Sequence, residues 1–209
     1  MARSIGLTGR IGSGKTAVSR MLEKLGCYHI DADLVARALM EPGQPAWKAV
    51  VSEFGPNIVT ADQHINRAAL GRLVFADPEA LRRLDLAVHP HVTVELDRQL
   101  RAMEAMTIAV VEAIKLVEAG LSSRLDALWV VVTPDDVACD RLVNGRGMTS
   151  DDAVRRLRAQ APVDDKLRLA DEIIDNGGDV AATERQVVGA FDRFLKSVDS
   201  KVAPLHQHQ

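Results

Sequence analysis

Over residues 4–40 the apolar positions change rhythm more than once. Ser4-Ile5-Gly6-Leu7 is a short extended run of mostly apolar character, followed by a glycine-rich stretch up to Gly14. Val18, Met21, Leu22 and Leu25 then fall at i, i+3, i+4 and i+7, one face of a helix, and Gly26 supplies a C-terminal stop. Cys27-Tyr28-His29-Ile30 returns to a strand ending in Asp31-Ala32-Asp33, and residues 33–40 are helical again up to the turn EPGQP. Pro45 suits the first position of the next helix, which carries Val50, Val51 and Phe54 before Gly55.

From 66 to 106 the pattern is almost wholly helical. Asn66 and Asp77 are N-cap candidates, with Pro78 at a first helical position after Asp77. His89-Pro90 is expected to interrupt this block, because the residue before a proline is pushed out of the α region. Residues 108–112, 128–133 and 172–175 read as three further strands. A last helix over 179–198 puts Val180, Val187, Phe191, Phe194 and Val198 on one side, and APLHQHQ beyond it reads as a frayed tail. Strands alternating with helices, in runs apolar on both faces, predict an α/β fold with a five-stranded parallel sheet covered on both sides. Its strands are expected near residues 4, 29, 110, 130 and 173. The expected organisation is one domain over 1–209. Its core comprises 1–59, 107–140 and 162–200, a helical insertion occupies 60–106, and a smaller helical one occupies 141–161. The smaller insertion carries Arg141, Arg146, Arg155, Arg156 and Arg158, with residues 149–152 able to cap a helix.

The chemistry is concentrated in GLTGRIGSGKT, residues 6–16, which contains G-x-x-x-x-G-K-[ST] as Gly9, RIGS, Gly14, Lys15 and Thr16. Glycines let such a loop turn tightly and aim successive N–H groups at an anion. Lys15 can reach the β- and γ-phosphates, and the Thr16 hydroxyl suits Mg²⁺. The loop stands between a strand and a helix, as the motif requires. Gly12, Ser13, Gly14, Lys15, Thr16 and Ala17 are therefore expected to hold a nucleotide, and Thr16 the metal. Composition narrows the class. A net charge of −3 gives no reason to invoke nucleic acid or an acidic membrane, and 3% aromatic residues argue against stacking platforms for single strands. No apolar run is long enough to cross a bilayer, and the first residues do not read as a signal peptide. Cys27 and Cys139 lack metal spacing and read as two buried thiols of a reduced, cytosolic protein, a monomer or weak homo-oligomer. The guanine-reading N/T-K-x-D of GTPases is absent, and an ATPase motor is normally larger. Two insertions, one for an acceptor and one bearing arginines as a lid, suit a small-molecule kinase.

In chain order, GLTGRIGSGKT, IDADLVAR (30–37), FG (54–55), NRAALGRLVF (66–75), HP (89–90), Gln160 and ADEIIDNGG (170–178) resemble the dephospho-CoA kinases, over residues 4 to about 178. The resemblance implies ATP-dependent phosphorylation, with Mg²⁺, of the ribose 3′-hydroxyl of dephospho-coenzyme A. That is the last step of coenzyme A synthesis and a cytoplasmic reaction. Three departures stand out. Arg10 replaces a glycine, and its side chain is expected to point away from the nucleotide. In EAIKLVE (112–118), Ile114 and Lys115 replace Pro and Leu, while Glu118 matches the family glutamate. In the lid, Gly145 stands where an arginine is expected four residues after Arg141, and Arg146 follows it.

Asp31 and Asp33, two apart in an extended segment at a strand end, are expected to project to one side, where open α/β sheets place ligands. The resemblance makes Asp33 the residue that orients the acceptor hydroxyl and accepts its proton; alternatively, either aspartate caps the helix beginning near 33. Glu112 either holds Mg²⁺ through water or is a surface strand end. His89, Pro90 and His91 lack the third ligand of a zinc site, so His89 is either a structural bend or an acceptor contact. Arg67 resembles a position near the acceptor, or is an exposed arginine at a helix start. Arg141 and Arg146 suit the charge on a transferred phosphoryl group, whereas Arg155, Arg156 and Arg158 read as a solvated face. Asn176 resembles the segment that lies against adenine, and Asn-Gly-Gly is equally an ordinary turn. Two rival readings remain: a kinase of the same architecture for a nucleoside monophosphate or small metabolite, and a non-catalytic ATP-binding regulator. For the first, residues 60–106 hold few phosphate-binding candidates beyond Arg67, Arg72, Arg82 and Arg83.

Overall fold

A computed structural model describes residues 2–202; the expected frayed tail lies outside the described residues. In chain order the elements are β1 (Arg3–Gly9), α1 (Lys15–Lys24), β2 (Tyr28–Asp31), α2 (Ala32–Leu39), α3 (Pro45–Phe54), α4 (Arg67–Ala76) and α5 (Pro78–Ala102). After them come β3 (Ile108–Glu112), β4 (Ala127–Val132), α6 (Asp135–Arg146), α7 (Ser150–Arg158), α8 (Asp164–Leu169), β5 (Glu172–Asp175) and α9 (Val180–Val202). The strands form one parallel sheet in the order β2-β3-β1-β4-β5. β1 is central, with Leu7 paired to Glu112 on one side and to Trp129 on the other. The loop leaving β1 therefore opens between β3 and β4, where an open parallel sheet offers its crevice.

Ile5, Leu7, Val110, Trp129, Val131 and Ile174 of the sheet pack with Val18 and Leu22 of α1 and with Val187, Phe191 and Phe194 of α9. Each large side chain so buried contributes roughly 1.5–3 kcal/mol. Two positions assigned to apolar faces differ from expectation. Val180 is 70% exposed at the start of α9, and Leu25, after the last turn of α1, is 38% exposed. Each stands at an end of its helix, where the packed stripe has not begun or has already run out. Cys27 is buried, which pushes its thiol up to about 12, but Cys139 is only half-buried, correcting the expectation of two buried thiols.

The chain divides into two compact units. One runs up to Ile30 and resumes at Glu104; the other spans Asp31–Met103. The second unit is wider than the insertion expected over 60–106, because α2, α3 and α4 all pack on α5. α5 itself corrects the sequence reading, for it continues through Pro90 without a break. Ala80, Val88, Val92, Leu96 and Leu100 form its buried stripe on both sides of the proline. Pro90 is exposed, as is Leu86, four residues before it, so water can take the carbonyl that the missing N–H leaves unbonded. The helical N-caps at Asn66 and Asp77 are as expected, accepting from Ala69 and Glu79 N–H groups. No helix among the described residues is long and apolar enough to cross a membrane.

Candidate active site

The phosphate loop is shaped by backbone. Gly12 and Gly14 have φ of 78° and 85°, left-handed values that favour glycine, and a Cβ on Gly12 would lie 2.7 Å from the Ala138 carbonyl oxygen. Gly14 is the N-cap of α1, and no side chain among the described residues caps that helix start. The Ser13 hydroxyl is buried and has no hydrogen-bond partner among the described residues. An uncapped helix N-terminus beside an orphaned buried hydroxyl fits an anion. Lys15 is 7% exposed and folds back to donate from Nζ to the carbonyls of Gly9 (3.2 Å) and Arg10 (3.3 Å). The loop is braced from behind: the Ser13 carbonyl accepts from Asn176 Nδ2 at 2.8 Å and from Thr133 Oγ1 at 3.1 Å.

Glu112 is buried at the loop, so its reading as a surface strand end does not hold. Its Oε1 accepts from Thr16 Oγ1 (3.2 Å) and its Oε2 from Ser19 Oγ (2.6 Å). His29 Nε2 lies 3.1 Å from Oε2, but its approach is out of line for a hydrogen bond. A hydroxyl and a carboxylate so close together are hard oxygen donors, and this set fits Mg²⁺. Sequence reasoning missed Ser19, whose signal was its place one helical turn after Thr16. It also missed His29, which carries no motif.

Arg10 points away from the loop interior, as expected. Its guanidinium donates to Asp135 Oδ1 (2.6 Å) and to the Leu157 carbonyl (2.7 Å), while Gln160 Oε1 accepts from the Ile11 N–H at 2.8 Å. Ile11 joins Ala138, Leu142, Ala153 and Leu157 in a small core, so the loop apex and the α6–α7 pair form one packed body. Arg141, inside α6, donates to the Asn176 carbonyl (2.8 Å) and to Thr133 Oγ1 (3.3 Å), which sets its guanidinium beside Gly14. Arg146 is exposed in the last turn of α6 and does not share that location. The Thr149 hydroxyl caps α7, on which Arg155, Arg156 and Arg158 are exposed. The side chain of Asn176 is engaged at both ends, donating to Ser13 and accepting from Thr183 Oγ1 at 3.0 Å.

In the second unit Asp31 is the N-cap of α2, accepting from the Leu34 N–H at 3.0 Å. Asp33 is exposed in the first helical turn. The two carboxylates therefore do not share an extended segment: the cap starts the helix at Ala32, one residue earlier than the expectation needed. Arg67 opens α4 and lines a cavity of about 300 Å³ together with Arg37, Met40, Leu70, Val74 and Leu84. Arg37 was missed in the sequence, although it lies four residues after Asp33 on α2. His89 does not line this cavity; its ring lies 3.5 Å from Asp85.

The dephospho-CoA kinase family model matches residues 3–182. The chain belongs to the dephospho-CoA kinase family. Dephospho-CoA kinases of Geobacter metallireducens and Carboxydothermus hydrogenoformans are similar to it, 44% and 41% identical over 195 and 192 residues. These matches cover 92% and 91% of this chain and 96% and 93% of the relatives. A solved structure of a Thermus thermophilus protein superposes with a TM-score of 0.81 at 31% identity, covering 93% of this chain and 98% of that one. The span shared with the dephospho-CoA kinase family includes the whole second unit and the first as far as the start of α9, with the phosphate loop, Glu112, Arg141 and Asn176. It also takes in Lys166, a buried lysine on α8 that the sequence reading passed over because it stands in a charged run, DDK.

Proposed function

We propose that this chain transfers the γ-phosphoryl group of ATP to the ribose 3′-hydroxyl of dephospho-coenzyme A, giving coenzyme A and ADP in the cytoplasm. The observation that carries the reading is a family match running unbroken through an intact phosphate loop. Loop N–H groups, the Ser13 hydroxyl and the start of α1 receive the phosphates, and Lys15 Nζ exchanges its two carbonyl partners for β- and γ-phosphate oxygens. Thr16 directly and Glu112 through water would hold Mg²⁺, which would supply positive charge to the bound phosphates. Arg141 adds a guanidinium beside the loop, and Arg146 is the candidate to cover the transferred group.

The acceptor carries a diphosphate, a nucleoside and a long flexible arm. Arg37 and Arg67, on a wall of Met40, Leu70 and Val74, suit that combination: planar cations for phosphate oxygens and apolar surface for the arm. Asp33 orients the 3′-hydroxyl and accepts its proton. Phosphoryl transfer has a loose transition state, so placing this hydroxyl matters more than removing its proton early. His89 is left with a structural part in α5. The test supplies ATP and Mg²⁺ with dephospho-coenzyme A, AMP, dTMP or shikimate in separate reactions and identifies the product by mass. Dephospho-coenzyme A alone should gain one phosphate; phosphorylation of AMP instead, or ATP binding with no product, overturns the reading.

A further inference from the structure

Lysine is seldom buried unless its charge is paired, yet Lys166 is only 4% exposed. Its Nζ donates to the Ile114 carbonyl at 2.6 Å and lies 3.2 Å from Glu118 Oε1. The same carbonyl accepts from Thr8 Oγ1 at 3.1 Å, and Thr8 is the last residue but one of β1. Next to it the Ala113 N–H donates to the Leu7 carbonyl at 3.1 Å. One ammonium thus pins the segment that follows Glu112 to the strand that feeds the phosphate loop.

We propose that Lys166 is a positioning residue for phosphoryl transfer. With Glu118 as its counter-charge, it locks the turn after β3 against Thr8 and so keeps Glu112 in register with Thr16. A charged donor on a buried carbonyl is short and directional, and it fixes that turn more tightly than an apolar contact of the same size. Among the described residues Lys166 is held by Ile114 and Glu118, neither of them in the phosphate loop, so it acts on the site through the turn. The inference rests on reading the site as that of an ATP-dependent kinase.

The test compares Lys166→Met, Lys166→Arg, Glu118→Gln and the double variant Lys166→Met/Glu118→Gln in the full chain. The wild type is first shown by mass to phosphorylate dephospho-coenzyme A, so failure of the kinase reading appears before any variant is compared. Lys166→Met should lose roughly 10-fold or more in kcat, while the KM for dephospho-coenzyme A and the calorimetric Kd for ATP stay within about threefold. Its Tm should fall only slightly, since Thr8 still serves the Ile114 carbonyl and Glu118, whose side chain is 35% exposed, can hydrate. Lys166→Arg should keep most of the activity. Glu118→Gln should lose part of the same factor, and the double variant should be no slower than Lys166→Met, because the pair acts as a unit. A kcat within about twofold of wild type in Lys166→Met overturns the proposal. So does a joint collapse of ATP affinity and Tm, which marks a plain core role. A fully active Glu118→Gln beside a Lys166→Arg as slow as Lys166→Met also overturns it, because that pattern belongs to an ammonium that touches the substrate.

Discussion

In the proposed reaction Lys15 and Asp33 have separable roles, so replacing each should leave a different kinetic trace. Lys15→Ala removes a buried ammonium that already reaches the carbonyls of the loop entrance. It should weaken ATP binding and cut turnover by roughly 10²–10³-fold, as expected for one charge aimed at a developing anion. Calorimetry giving normal ATP affinity, together with wild-type turnover, would contradict the loop assignment. Asp33→Asn keeps size and one acceptor but loses the charge and the proton site. Both substrates should bind within a few-fold of wild type while kcat drops by roughly 10²-fold or more. Its neighbour behaves differently because of the Leu34 hydrogen bond. Asp31→Ala should cost about 1 kcal/mol of stability in a urea titration, the usual worth of an N-cap, and leave most of the catalysis. An active Asp33→Asn beside a dead Asp31→Ala would exchange the two roles. The resemblance pointed to Asp33 for the acceptor, while the sequence left open which of the two carboxylates caps α2. The φ and ψ at which α2 starts give the cap to Asp31, and those angles are a property of the folded chain.

Among the elements, α5 shows where a local rule yields to packing. The proline rule disfavours helix at His89, yet buried apolar residues on both sides of Pro90 hold one continuous cylinder. Because the proline faces solvent, Pro90→Ala should restore the N–H to the Leu86 carbonyl and raise stability by about 1–3 kcal/mol, read from the shift in urea midpoint. A destabilised alanine variant would mean that the ring packs on something the helix needs. The strands were easier to read than the helices, since strands buried on both faces leave dense apolar runs such as AVVE and LWVVV. The sequence reading placed an arginine-bearing insertion at 141–161, a bound that falls inside α6 and takes in α7. Its attachment to the loop through Arg10, Ile11 and Gln160 was not legible, because those bonds join residues far apart in the chain.

For the whole molecule, what the sequence revealed was what lies close together along it. The phosphate loop, its flanking strand and helix, and the capping residues are contiguous signals. The boundary of the second unit depends instead on which helices choose α5 as their neighbour, and no periodicity within α2 or α3 records that choice. A ligand held only by the native loop should stabilise the fold by mass action. ATP with Mg²⁺ at about 100 times its Kd should add roughly 2.7 kcal/mol, visible as a rise in Tm that Lys15→Ala largely abolishes. An equal rise in both proteins would place the nucleotide elsewhere. The brace from Asn176 to Ser13 spans 163 residues of chain. During synthesis on the ribosome, the loop is made well before the residues that brace it, and it lacks this support until the fifth strand and Thr183 have emerged. A nascent chain that has not reached Asn176 should therefore hold nucleotide weakly. A polypeptide stalled before residue 176 should leave ATP in solution, and the capacity to hold it should arrive late, with the last strand.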